Sequence, residues 1–316
     1  MRRKRKRGFN HIVENAPKQN NMRRIITGLI TGWLIFGAIC AGGYILAVVV
    51  AVFLYFAIQE YAEILKHKGF QPSKRIIFLI TFLLFAVSVS HLEFLIPVVL
   101  FLGVVLSFCA VLFKLRQPYI ANIATTVFGF ILCWLPCYVY LLRGLGTPGK
   151  GFLSLFVINN PGFFYIIMLF FIILVTDIAA YFVGKRYGKR RLAPEVSPKK
   201  TVEGSLAGTI AAVIVAVYFG FCIGLPLWKS VLTGLLITFF AQLGDLSESM
   251  LKRDAGVKDS GSSLPGHGGF LDRADSYILA APFAYFYFKY FIIADSSPFL
   301  QLLGDIHKAF SNVGFF

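Results

Sequence analysis

Ser249-Met-Leu-Lys-Arg-Asp-Ala-Gly-Val-Lys-Asp-Ser-Gly-Ser-Ser-Leu-Pro-Gly-His-Gly-Gly-Phe-Leu-Asp-Arg-Ala-Asp275 is a dense polar island in a chain that is otherwise strongly apolar. The 31 residues from Asp245 to Asp275 carry six of the chain's 15 carboxylates and four of its 31 Lys and Arg. The apolar runs elsewhere are long enough to cross hydrocarbon at ~20 residues each. Charge gathered this way in a membrane protein points to a polar ligand, because packing alone does not require it.

Outward from that island the composition fixes the class. Of 316 residues, 57% are hydrophobic and 34 are Phe, and the mean hydropathy is +0.74. These values describe an all-α, polytopic integral membrane protein. Nine spans are expected, at about 25–41, 43–59, 76–91, 94–113, 119–141, 162–183, 205–226, 230–251 and 276–294, with Gly42-Gly43 and His91-Leu-Glu93 breaking two long apolar runs. The net charge of +16 does not indicate nucleic acid. Nine of the Lys and Arg precede residue 25, and the loops at 60–75, 114–118, 184–204 and 252–275 hold four, two, seven and four. That places 26 of 31 on one side, the asymmetry expected of cytoplasmic loops. The exceptions are Arg143, Lys150, Lys229, Lys289 and Lys308. The basic start (Arg2–Arg7) is not a signal peptide, since the apolar stretch from Ile25 to Ile58 is too long and lacks a small-residue cleavage site. The five cysteines fall in apolar runs and read as buried small residues, with no disulfide framework and no metal partners.

Several motifs bear on chemistry. Gly144-Leu-Gly-Thr-Pro-Gly-Lys-Gly151 resembles a phosphate loop, but Gly151 stands where a Ser or Thr must reach the metal, and the run lies on the wrong side of the membrane. Gly204-x-x-x-Gly208 and Gly220-x-x-x-Gly224 flank one span and read as close helix packing. Asp245, Glu248/Ser249 and Lys252 share one helix face. The stripe reads as a metal ligand, a neutral donor and a phosphate partner, or as a snorkelling Lys beside an intrahelical ion pair. Pro265-Gly-His-Gly-Gly269 is a loop whose glycines let backbone amides approach an anion, which assigns Gly268 and Gly269 to substrate contact. Asp272 and Asp275 follow at i and i+3, at the start of the last span. They are either helix-start partners of the dipole or, with Asp245, carboxylates for Mg²⁺, which takes one or two such ligands and fills its remaining positions with water and phosphate oxygens. The pattern favours metal binding by Asp245 and Asp272, with Asp275 beside them. His267 is assigned to loop shape or phosphate contact; His11, His67, His91 and His307 are scattered. Asp177 lies near the cytoplasmic end of its span, and the loop after it ends in Ser197-Pro-Lys-Lys-Thr201 at a helix start, where Lys199, Lys200 and backbone amides favour polyphosphate.

The run from Ser249 to Asp275 resembles the signature of CDP-diacylglycerol synthase, or phosphatidate cytidylyltransferase. The shared residues are Ser249, Lys252-Arg253, Lys258-Asp259, Gly261, Leu264-Pro265, His267-Gly-Gly269, Asp272-Arg273 and Asp275. Leu243-Gly-Asp245, Ser197–Thr201 and the stretch from Asp177 to Gly188 are also similar, so the likeness is strong over about 175–280. Ala274 departs from the larger apolar residue usual there, which affects packing and leaves the polar set intact. The resemblance implies that phosphatidate attacks the α-phosphorus of CTP with Mg²⁺, a second cation being left open, to give CDP-diacylglycerol and pyrophosphate. It makes Asp245 and Asp272 metal ligands, Ser249 and Lys252 active-site residues, and Arg253 and Lys258 substrate contacts. The chemistry is consistent: a phosphomonoester, with a second pKa of about 6, needs no deprotonating side chain, and the task is positioning and charge neutralisation.

The chain accordingly divides into a basic cytoplasmic tail (1–24), an N-terminal transmembrane region (25–161), a catalytic transmembrane region (162–295) and a C-terminal tail (296–316). The partners implied are CTP, phosphatidate and membrane lipid, with no nucleic acid and a homodimer left open. The wording of the signature is more bacterial than eukaryotic, implying the bacterial cytoplasmic membrane with the site facing the cytoplasm. Two alternatives stand beside it: a CTP-dependent kinase of a lipid alcohol, and an ion-coupled transporter using Asp177 and Asp245, which requires broken helices and paired repeats.

Overall fold

Backbone inside hydrocarbon has no water to bond, so apolar runs of this length close their hydrogen bonds within helices. The computed structural model describes residues 21–114, 117–146, 161–261, 263 and 268–293. Most of the basic tail, residues 147–151 of the phosphate-loop-like run, His267 and the tail 296–316 lie outside the described residues. In chain order the helices are α1 (Asn21–Ala41), α2 (Gly43–His67), α3 (Lys74–Val89), α4 (Ile96–Lys114) and α5 (Tyr119–Trp134), the last continuing through a 3₁₀ turn at Leu135–Cys137 into α6 (Tyr138–Gly144). Then come α7 (Pro161–Tyr187), a hairpin of β1 (Arg191–Ala193) and β2 (Ser197–Thr201), α8 (Val202–Cys222), α9 (Leu227–Asp254) and α10 (Leu271–Tyr287), which ends in a π-helical turn at Phe288–Ile293.

The chain is an integral membrane protein of helical class. Seven helical stretches among the described residues are long and apolar enough to cross a bilayer, in place of the nine expected. The other two expected spans fall on α1 and on α3, whose 16 residues extend only ~24 Å against a hydrocarbon core of ~30 Å. The expected breaks are present: α1 gives way to α2 at Gly42, and α3 ends before His91. The hairpin is the departure from a wholly helical chain. It is antiparallel, pairing Arg191 with Thr201 and Ala193 with Ser197.

Helix α8 shows how the bundle faces lipid. Gly204, Gly208, Ala212, Ala216 and Gly220 recur every fourth residue on its buried side. Leu206, Ile210, Ile214 and Tyr218 form an exposed stripe on the other, as a helix between protein and hydrocarbon requires. The small side admits α7: a Cβ on Gly204 would stand 2.6 Å from the Ala180 carbonyl oxygen, and one on Gly208 2.8 Å from that of Thr176. The expected packing role therefore holds for that pair. Gly220 is likewise closed in, by Ser230, whereas Gly224 has open space around it and serves the turn before α9. The cysteines divide similarly: Cys133 and Cys137 are buried, Cys40 and Cys109 half-buried, and Cys222 exposed at the end of α8, contrary to the expectation for all five.

The helix ends sort into two groups. Lys68, at the end of α2, bonds the Asp254 carboxylate at 2.7 Å at the end of α9, and Lys200 of β2 pairs with Asp245 of α9. The cation-rich ends thus lie together. At the opposite ends Lys289 pairs with Glu93 at 2.7 Å, and the Arg143 Nε donates to the Ile39 carbonyl at 3.0 Å. Two cations that break the charge asymmetry therefore have local partners.

Helices α9 and α10 meet at Gly244, where a Cβ would lie 2.5 Å from the Asp275 carbonyl oxygen. Gly244→Ala is expected to push the two helices apart, costing about 1–3 kcal/mol and lowering the melting temperature of the detergent-purified protein. An unchanged melting curve would show that this crossing is loose.

Candidate active site

Four elements end at one place. Helix α9 stops at Asp254 because the next residues turn its last amides back: Ala255 N–H donates to Leu251 O, Gly256 N–H to Arg253 O and Val257 N–H to Lys252 O. Helix α8 starts at Val202 because Thr201 Oγ1 accepts from Gly204 N–H at 3.2 Å, while Glu203 accepts from Lys189 N–H at 3.0 Å and folds the preceding chain back. The hairpin is tied to α9 by Arg253, whose Nε donates to Val196 O at 3.2 Å, and by the Lys200–Asp245 pair.

Between these ends lies a cavity of about 290 Å³ lined by Ile173, Asp177, Asp245, Asp272, Arg273, Asp275, Ser276 and Tyr277. Four carboxylates face it, from α7, α9 and α10, and Arg273 supplies the cation in the lining. A larger cavity of about 710 Å³ lies at the ends of α2 to α5, lined by Lys66, Lys74, Arg75 and mostly apolar groups. It holds none of the signature residues and no carboxylate, so the smaller cavity is the candidate site.

Behind the cavity wall is a buried network. The Lys252 ammonium, on a residue 8% exposed, lies 2.5 Å from Glu248 Oε2 and 2.6 Å from Asp272 Oδ1. Asp272 Oδ2 accepts from Ser260 N–H at 2.9 Å and from Gly269 N–H at 2.8 Å. Asp275 Oδ1 accepts from its neighbour's amide, Ser276 N–H, at 2.6 Å.

The structure therefore brings Asp245, Asp272 and Asp275 to one cavity and adds Asp177, placing Lys200 on Asp245 and the Gly269 amide on Asp272, with Gly268 beside it. Lys252 does not snorkel; it is buried between two carboxylates, one of them the intrahelical Glu248. Ser249 is half-exposed on α9, away from the lining, and Lys199 and Lys258 are exposed. Arg253 is turned to the hairpin. Among the described residues no three His, Cys, Asp or Glu side chains are close enough together to hold a metal ion by themselves. Sequence reasoning did not find Ser260 or Glu60 as parts of the site, and it placed Glu248 on the α9 stripe and Arg273 in the signature without giving either a role. Glu248 was legible as the i+3 neighbour of Asp245, whereas Glu60 reads as one of several charged residues at the end of its span and lies 200 residues away from Ser260.

Residues 22–291 match the cytidylyltransferase family. A phosphatidate cytidylyltransferase of Synechocystis sp. is 38% identical over 284 residues, 84% of this chain and 95% of that protein. The chloroplastic phosphatidate cytidylyltransferase 5 of Arabidopsis thaliana is 32% identical over 83% of this chain and 70% of its own. One from Bacillus subtilis is 41% identical over 137 residues, 43% of this chain and 51% of its own.

Removing the ammonium from this network isolates two buried carboxylates. Lys252→Met is expected to cost about 3–5 kcal/mol, as for other buried pairs broken from one side, and adding Glu248→Gln should recover part of that. Lys252→Met melting like wild type in detergent would show that the three groups are not coupled.

Proposed function

The chain belongs to the cytidylyltransferase family, and from that membership and the acidic cavity we propose that it transfers the cytidylyl group of CTP to phosphatidate, forming CDP-diacylglycerol and pyrophosphate. A phosphatidate oxygen forms a bond to the α-phosphorus of CTP, and the bond from that phosphorus to the bridging oxygen of the β-phosphate breaks. The observation that carries the reading is the placement of four aspartates around one cavity at the cation-rich helix ends, flanked by Lys200 and Arg273.

A triphosphate would be repelled by such a lining unless cations neutralised it. The donor set suits Mg²⁺, which takes oxygen ligands and few protein carboxylates. No three of these side chains are close enough to hold it by themselves, so one or two of Asp245, Asp272 and Asp275 would hold it, with water and phosphate oxygens filling its remaining positions. Bound there, Mg²⁺ supplies charge neutralisation for the reacting phosphates. The chain's own groups do the rest. Lys200, on a hairpin pinned by Arg253, and Arg273 draw in the polyphosphate; the buried Lys252 fixes Asp272 at the cavity edge; and the Gly269 amide holds that carboxylate from the other side. No side chain is needed to deprotonate an already ionised phosphomonoester.

We place the site at the cytoplasmic face of a bacterial-type cytoplasmic membrane, on the side where the cationic loops gather. The transporter alternative is disfavoured because α7 and α9, which carry Asp177 and Asp245, are continuous helices of 27 and 28 residues.

Purified protein in mixed micelles should release pyrophosphate from CTP when phosphatidate is added. CDP as the nucleotide product, with a lipid alcohol as acceptor, would instead identify a kinase. Asp245→Asn should lower turnover at least 100-fold, about 2.7 kcal/mol of barrier, with the melting temperature kept. Wild-type turnover in that variant would remove Asp245 from the mechanism.

A further inference from the structure

We infer that Glu60 of α2 is a positioning residue of the transferase site, the group through which the N-terminal region holds the loop before α10 and sets the orientation of Asp272. The inference rests on the proposed function for its catalytic consequence.

Glu60 lies near the charged end of α2, with Glu63 and Lys66 following on the same helix, yet is only 4% exposed. A buried carboxylate must be compensated, and among the described residues its partners are all uncharged donors. Its Oε1 accepts from Phe270 N–H at 2.9 Å. Its Oε2 accepts from Leu271 N–H at 2.9 Å and from the Ser260 hydroxyl at 3.1 Å. Two of these donors are backbone amides at the start of α10, where the aligned peptide dipoles favour negative charge. The next amide, Asp272 N–H, donates to Ser260 Oγ at 3.3 Å, and Arg273 N–H donates to Phe270 O at 3.1 Å. The first turn of α10 is thereby satisfied, half of it by a side chain from a distant helix.

Ser260 joins this cap to the cavity. Its hydroxyl donates to Glu60 and accepts from the Asp272 amide, while its own amide donates to Asp272 Oδ2. Displacing Glu60 therefore loosens Ser260 and, with it, two of the contacts that fix Asp272. The loop has been shaped around the acid: a Cβ on Gly269 would lie 2.4 Å from Glu60 Oε2, and one on Gly261 3.0 Å from its Cγ. A second anchor comes from the same helix, where Phe56, one turn earlier, stacks on Phe270 with ring centroids 4.7 Å apart and planes at 7°.

Glu60→Gln tests this, because an amide of the same shape turns its NH₂ towards one of the three donors. Four quantities are read on the detergent-purified full chain: hydrogen exchange at the Phe270 and Leu271 amides, Mn²⁺ affinity without substrate, kcat with KM, and melting temperature. The expected result is at least 10-fold faster exchange at those amides, at least 5-fold weaker Mn²⁺ binding, and kcat reduced at least 10-fold at an unchanged KM for phosphatidate, with melting kept within a few degrees. Wild-type Mn²⁺ affinity and kcat would overturn the inference, and so would losses that simply track a lowered melting temperature. Should Glu60→Gln not fold, Glu60→Asp, which keeps the charge and withdraws it by one methylene, is read against the same criteria. Exchange and Mn²⁺ binding need no phosphatidate, so a wild-type protein without transferase activity would refute the proposed function while leaving the role of Glu60 decided.

Discussion

A helix that begins inside a protein exposes four amide donors that water cannot reach, and the start of α10 is such a place. Asp272 and Asp275 can face the cavity only if that start is buried against α9 and the loop, and burial is tolerable only if the amides are met. Glu60, Ser260 and the Phe270 carbonyl meet them. Asp272 meanwhile accepts from Ser260 and Gly269. The acidic character of the cavity depends on this closed set of hydrogen bonds, which ties residues of α2 to a loop some 200 positions later.

Electrostatics then determine what the cavity can accept. Asp177, Asp245, Asp272 and Asp275 face a space of about 290 Å³, where like charges repel one another. Lys200 offsets Asp245 from the hairpin, and Lys252 offsets Asp272 and Glu248 from α9. The remaining imbalance favours a cation, and a cation there favours the phosphates of a nucleotide. The start of α10 and the hairpin carrying Lys200 border this space, so a polar ligand can reach it from the cation-rich side of the bundle.

Much of this was legible in the sequence because its causes are local. The polar island from Asp245 to Asp275, the i and i+3 spacing of Asp272 and Asp275, the helix start after Ser197–Thr201 and the small-residue spacing of Gly204 and Gly208 each follow from short-range geometry. The segregation of Lys and Arg into alternate loops anticipated which helix ends gather. What escaped was non-local. Glu60 stands with Glu63 and Lys66 where an apolar run ends, and nothing nearby in sequence reveals that its partners are Ser260, Phe270 and Leu271. Lys252 read equally well as a phosphate contact or a helix-end cation, and only the fold places Asp272 against it. Hydropathy also gave no warning that the apolar α3 has only 16 residues, and it could not distinguish the exposed Cys222 from the buried Cys133.

The central claim is that a divalent cation and the CTP phosphates share the cavity formed by α7, α9 and α10. It is tested most directly by anomalous scattering from crystals of the protein grown with Mn²⁺ and CTP. The account predicts a manganese peak among Asp177, Asp245, Asp272 and Asp275, with the triphosphate extending towards Lys200 and Arg273. Bound CTP with its metal elsewhere, or phosphates seated against the larger cavity of Lys66, Lys74 and Arg75, would contradict it.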